Sequence, residues 1–153
     1  MKQRTFFILG LLIFLVACDS NKDQLPLEVA WGRDVGLKSG MLLSDPRYGV
    51  QVIEPSGRSK LFVEIGTAVQ WLQENPQVKD VRVWVNDYQT HQWLEANKAH
   101  WTDGAQETPM GFGFRAFAIQ PAESIRYEAV KKEILSGKNR AQEQQKKYLN
   151  KKS

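Results

Sequence analysis

Few side chains in this sequence offer sulfur, thiol or imidazole chemistry: one cysteine (Cys18), three methionines (Met1, Met41, Met110) and two histidines (His91, His100). A lone cysteine has no partner within the chain. Methionine is an ordinary filler of irregular core gaps, so Met41 and Met110 taken alone read as packing. His91 and His100 have polar and aromatic neighbours in sequence and read as solvated imidazoles at exposed or half-exposed positions. Asp87 lies near His91, but so local and polar a pairing is common and does not argue a dyad. With Tyr88 it reads as the end of a strand hydrogen-bonding a turn. No nucleophile–base pair, carboxylate pair or phosphate-cradling glycine loop stands out, so the chain is not expected to be an enzyme.

Cys18 closes the stretch that decides where the chain goes. Lys2 and Arg4 precede an apolar run from Phe6 to Val16, followed by the small Ala17. That order marks a secretory signal peptide, and the run is shorter than the roughly 20 residues of a spanning helix. Leu15-Val16-Ala17-Cys18 resembles the lipobox of bacterial lipoproteins, which implies removal of residues 1–17 and acylation of Cys18, palmitate included. An uncleaved anchor is the alternative, and it too leaves the rest outside the cytoplasmic membrane. Several acyl chains hold a protein firmly where one gives only marginal binding. Asp19, by resemblance to enteric lipoprotein sorting, implies retention at the inner membrane on its periplasmic side. With Cys18 consumed by lipid there is no free thiol and no disulfide, so stability must come from the core.

Cleavage leaves 136 of the 153 residues, enough for one domain with a working core. The formal charge of +4 hides a split. Residues 138–153 hold six Lys or Arg against one acid, whereas residues 18–137 hold 13 basic and 16 acidic residues. A mildly acidic body in an extracytoplasmic compartment disfavours a nucleic-acid partner.

The elements that must position these side chains read as α+β. Residues 18–26 form a lipidated tether, polar from Asp19 to Gln24. Leu27 to Trp31 alternates weakly, and Gly32, Gly36 and Gly40 predict a loop up to Met41. Tyr48–Ile53 and Lys60–Ile65 predict a hairpin about the Pro55-Ser56-Gly57-Arg58 turn. Thr67 and Gln70 are spaced as a capping box for a short helix that stops at Asn75-Pro76. Val81, Val83 and Val85 alternate with polar or aromatic residues as a strand does. The second half repeats this grammar loosely. His91 to His100 reads as a polar connection, Ala99–Thr102 and Phe112–Ala118 as strands, and Gln120-Pro121 as the opening of a helix ending at Gly137. The expected organisation is two small related ββαβ-like units over residues 27–137, with 138–153 a basic tail, either a helical extension or disordered. Its plain role is solvation; contact with anionic headgroups is the sharper one.

Taken together, Gly40-Met41, Val83-Trp84-Val85-Asn86-Asp87-Tyr88 with Trp93 and Ala99, and Pro109-Met110-Gly111-Phe112-Gly113-Phe114-Arg115-Ala116-Phe117 downstream of the lipobox resemble the NosL family, the lipoprotein accessory factors of nitrous oxide reductase. The resemblance runs from about Trp31 to Ala118. It implies a periplasm-facing Cu(I) metallochaperone delivering copper to a membrane maturation complex or cuproenzyme, with an ABC-transporter or maturation-complex subunit as partner. Cu(I) is soft and takes thiolate and thioether sulfur, then imidazole. The family's Cys-x-x-Cys-Gly-Met falls here on Gly36-Leu37-Lys38-Ser39-Gly40-Met41, with both cysteines missing, and a further cysteine on the second strand falls on Val63.

What the resemblance leaves as copper ligands are Met41 and Met110, with His91 or His100 as a third. Neutral thioethers lack the charge of a thiolate, so a weak, exchangeable Cu(I) site is expected. The alternative is a non-metal adaptor or docking lipoprotein for an inner-membrane transporter or maturation complex. The sequence does not specify the oligomeric state.

Overall fold

The computed structural model describes residues 24–105, 107–137, 139 and 146–151. The signal segment, Cys18, Asp19 and most of the basic tail lie outside the described residues. The fold is α+β, with antiparallel sheets and helices. In order come β1 (Val50–Ile53), β2 (Ser59–Phe62), α1 (Ile65–Glu74), β3 (Arg82–Asn86), β4 (Trp93–Glu95), β5 (His100–Thr102), β6 (Arg115–Phe117) and α2 (Tyr127–Leu135). The first half has the expected strand-strand-helix-strand order; the second runs strand-strand-strand-helix.

Four strands make an antiparallel sheet in the order β2-β1-β3-β4, while β5 and β6 pair separately. Val50 and Val52 of β1 share a face with Phe62 and Val85, and this face receives Ile65, Ala68 and Val69 of α1. The spacing i, i+3, i+4 of those helix residues is what an amphipathic helix needs to present one stripe. Tyr127, Val130 and Ile134 of α2 complete the same core, with Trp101 of β5 among its largest buried side chains.

The opposite face is covered by the segment from Gln24 to Leu43. Gln51 points that way and is fully buried, yet its carboxamide is satisfied. It accepts from the Leu27 N–H (3.0 Å) and the Ser59 hydroxyl (2.8 Å) and donates to the Leu27 carbonyl (2.7 Å). Gln24 is already engaged, donating to the Ile53 and Asp80 carbonyls and accepting from the Trp84 indole. All four β1 residues are therefore buried, which burial on both faces requires. A second small core of Val29, Leu43 and Val63 lies under this cover, with Leu61, Trp93 and Met110 against it.

Three local expectations are corrected. Thr67 is inside α1, not at its cap: the N-cap is Glu64, and the Thr67 hydroxyl donates back to the Glu64 carbonyl (2.7 Å). The helix expected from Pro121 begins six residues later, at Tyr127, because Ile125 is taken by a bridge to Trp101. The connection from His91 to His100 contains β4, a three-residue strand that pairs Trp93, Leu94 and Glu95 with β3.

Candidate functional site

Residues 32–43 form a narrow hairpin about the bridge between Val35 and Leu42. The Gly36 N–H donates to the Met41 carbonyl (2.8 Å), the Leu43 N–H to Asp34 (2.9 Å), and the Gly40 N–H to Gly36 (2.9 Å). Cross-strand partners point to one side and successive residues to opposite sides. Leu43 turns inward, so Gly36 and Met41 take that side as well, while Val35 and Leu42 turn out. The hairpin is fixed to the free edge of β2 by the Leu37 N–H bonded to the Leu61 carbonyl (2.8 Å).

Its inward side meets Val63. A Cβ added to Gly36 would lie 2.9 Å from the Ser39 hydroxyl oxygen and 3.1 Å from Val63 Cγ1. Positions 36, 39 and 63 thus converge on one spot, though they are as much as 27 residues apart in sequence. Met110 packs half-buried against the Val29, Leu43 and Val63 cluster. Met41, on the Gly36 side of the hairpin, remains 44 % exposed.

The turn carrying Met110 is held by a residue the sequence reading passed over. Glu64 follows Val63 directly, is 2 % exposed, and accepts hydrogen bonds from the Phe112 N–H (3.3 Å), the Met110 N–H and the Thr108 hydroxyl. Burial raises its pKa above the ordinary glutamate value; the three donors oppose the shift without cancelling it. One acidic residue inside the apolar run Leu61-Phe62-Val63-Glu64-Ile65 was the available signal, since a charge in such a run needs partners. The Gly111 N–H closes the turn onto the Thr108 carbonyl (3.1 Å), with Gly111 at φ 78°, a conformation that suits glycine. The Asn139 side chain donates to the Met110 carbonyl (3.1 Å). Phe112 in turn lies on Gly66 of α1, in the space a Cβ would fill.

The histidines are placed elsewhere. His91 is exposed in the turn after β3, at φ 58°, with its N–H on the Asp87 carbonyl and its own carbonyl taken by Asn86. His100 is half-buried on β5 opposite Phe117, between the inward-facing Ala99 and Trp101. Among the described residues no three His, Cys, Asp or Glu side chains gather as a metal-holding group. Asp87 is a structural anchor: its carboxylate accepts from the Ala118 N–H (2.6 Å), the Thr90 N–H and hydroxyl, and the Gln89 N–H. Burial pushes its pKa up, but these donors outweigh that and leave it lowered.

The cavity under Arg47, Tyr48, Glu64 and Asn86 holds about 10 Å³, room for one water and no substrate. Beside it Arg47 is paired with Asp45 (2.6 Å) and, with Arg115, flanks the Tyr88 ring. No protein-family model matches the chain, and no curated protein matches it.

Proposed function

We propose that this is a membrane-anchored, periplasm-facing copper-binding accessory protein that holds Cu(I) through the thioethers of Met41 and Met110 and releases it to a membrane maturation complex or cuproenzyme. One observation carries this reading: Gly36, Ser39 and Val63, the positions that correspond to thiol ligands in the NosL pattern, come together beside the hairpin side that bears Met41 and the cluster that bears Met110. Two thioethers suit a soft monovalent ion and little else among common metals. A neutral ligand set at a half-exposed position favours exchange over storage, which delivery requires. His91, in the turn after β3, and His100, on β5, are on other elements than the two methionines, so the reading rests on the thioethers, and a third, imidazole ligand is left to the titration to detect.

The test is a competition titration of the mature chain against a colorimetric Cu(I) chelator. One Cu(I) per chain is expected. Met110→Ala or Met41→Ala should each weaken binding by ~10-fold or more, about 1.4 kcal/mol, and a comparable fall with His91→Ala or His100→Ala would identify the third ligand. A chain that keeps no copper against the weakest chelator overturns the reading and leaves an anchored adaptor.

A further inference from the structure

Seven of the eleven large hydrophobic side chains exposed among the described residues fall between Leu25 and Leu42. The hairpin concentrates them: Val35, Leu37 and Leu42 are each about half exposed, 50 to 52 %, and Val35 and Leu42 form its outward pair. Solvated singly such residues are unremarkable, but gathered on one projecting hairpin they mark a contact surface.

We infer that this outward face of the hairpin rests on the lipid bilayer, so that the domain lies on the membrane and does not swing free of it. The inference rests on the reading of Cys18 as the anchored residue, and the length of the tether gives it its occupant. Five residues, 19–23, separate Cys18 from Gln24, and even fully extended they reach only about 20 Å. A domain of this size has a radius of gyration of about 13 Å, so the tether holds the surface around Gln24 within reach of the headgroups. From Gln24, which sits over β1 and β3, the same face continues across β1 to the hairpin on the edge of β2. Gln24 is bonded to Ile53 at the end of β1, Leu27 to Gln51 two residues back along it, and Leu61, the β2 partner of Gln51, holds Leu37.

Charge does not oppose the arrangement. Lys38 is paired with Glu74 (2.7 Å), and the Asp34 carboxylate is turned onto the Ala30 N–H (2.8 Å). Arg33 and Lys38 balance Glu28 and Asp34 over this stretch, so the contact is apolar in kind and should persist in high salt, where an ionic one would be screened. Because Gly36 and Met41 face the other way, lipid contact leaves the Val63 side of the hairpin open toward the rest of the protein.

The experiment uses the full chain with its anchor, reconstituted in vesicles of phosphatidylethanolamine and phosphatidylglycerol. Cys18 is the only native cysteine, so Leu37→Cys, Leu42→Cys and, on the exposed side of α2, Lys132→Cys each accept one environment-sensitive fluorophore. Labels at 37 and 42 should be blue-shifted and quenched by doxyl-labelled lipid several-fold more than the label at 132, equally in low and high salt. An anchored chain with all three labels equally exposed overturns the inference while leaving the anchor intact. Shielding that arises only when native membranes replace pure lipid overturns it in favour of a protein partner. Recovery of the chain in the soluble fraction defeats the anchored reading itself, and the inference with it.

Discussion

Glu64 keeps a carboxylate at 2 % exposure and spends it on the N–H groups of Met110 and Phe112, so its protonation and the Met110 turn are coupled. Its pKa is raised in the folded chain, which means the fold binds a proton that the unfolded chain has already lost. Stability from this group is therefore complete below the ordinary value of 4.5 and falls as pH rises through the raised folded value. Asp87 and Asp45 act in the opposite sense: both are lowered from 3.8, so their contributions hold above that value and are lost as pH falls through their folded values. Urea midpoints should pass through a maximum in mildly acidic solution. Glu64→Gln should flatten the upper limb and Asp87→Asn the lower; a Glu64→Gln profile matching the native one above the ordinary glutamate value of 4.5 would show that folding does not raise the pKa of this carboxyl. Adding sulfur is the complementary experiment. Ser39→Cys with Gly36→Cys should tighten Cu(I) binding by at least ~10-fold over the native chain in the same chelator competition. Val63, 3.1 Å from the new Cβ, has to yield slightly.

At the level of elements, Gly66 sets two effects against each other. Alanine in a helix is worth about 1 kcal/mol over glycine, but the added methyl would fall within the Phe112 ring, and overpacking of this kind costs about 1–3 kcal/mol. Gly66→Ala should thus lower stability in chemical denaturation, and a gain would mean that Phe112 moves aside freely. Gly49 has the same relation to Trp31, with the Asn86 carboxamide oxygen 2.8 Å from the added carbon. Much of the element pattern was legible. β3 announced itself through Val83 and Val85 alternating with Arg82 and Trp84, and the β1–β2 hairpin through its turn residues, because those signals are local. β4 was not legible: three residues flanked by polar ones carry no period, and Trp93 to Glu95 are extended because β3 is beside them. Nor was the start of α2, since Pro121 fits a first turn while Ile125 is claimed by Trp101 from another element. The same limit hid Glu64, whose donors lie 44 to 48 residues away along the chain, and the meeting of Gly36 with Val63. Met41 and Met110 could be named from sequence, but neither the hairpin that carries the first nor the Val29, Leu43 and Val63 cluster that receives the second could be.

Over the whole molecule, one core joins both helices to the two sheets, and Trp101 is its pivot. The indole is 2 % exposed, donates to the Ala96 carbonyl (3.0 Å) and stacks on Tyr127 with ring centroids 5.9 Å apart. Trp101→Ala should cost about 3–5 kcal/mol, a large part of the roughly 5–15 kcal/mol that holds a typical domain together. Circular dichroism and fluorescence should still report one shared transition, because the chain is short enough to unfold as a unit. Met110 touches this core as well as the smaller one, but the hairpin that carries Met41 stands outside it, at the edge of β2. That hairpin is secured by main-chain hydrogen bonds from Gly36, Leu37 and Gly40 and by no side chain at positions 36 or 39 except a local contact from the Ser39 hydroxyl to the Met41 N–H. The main-chain bonds of the hairpin do not depend on the side chain at position 39, whereas a side chain at 36 has to be accommodated against Val63. Sulfur introduced at those two positions would therefore change what the hairpin can bind before it changes how the sheets and helices pack.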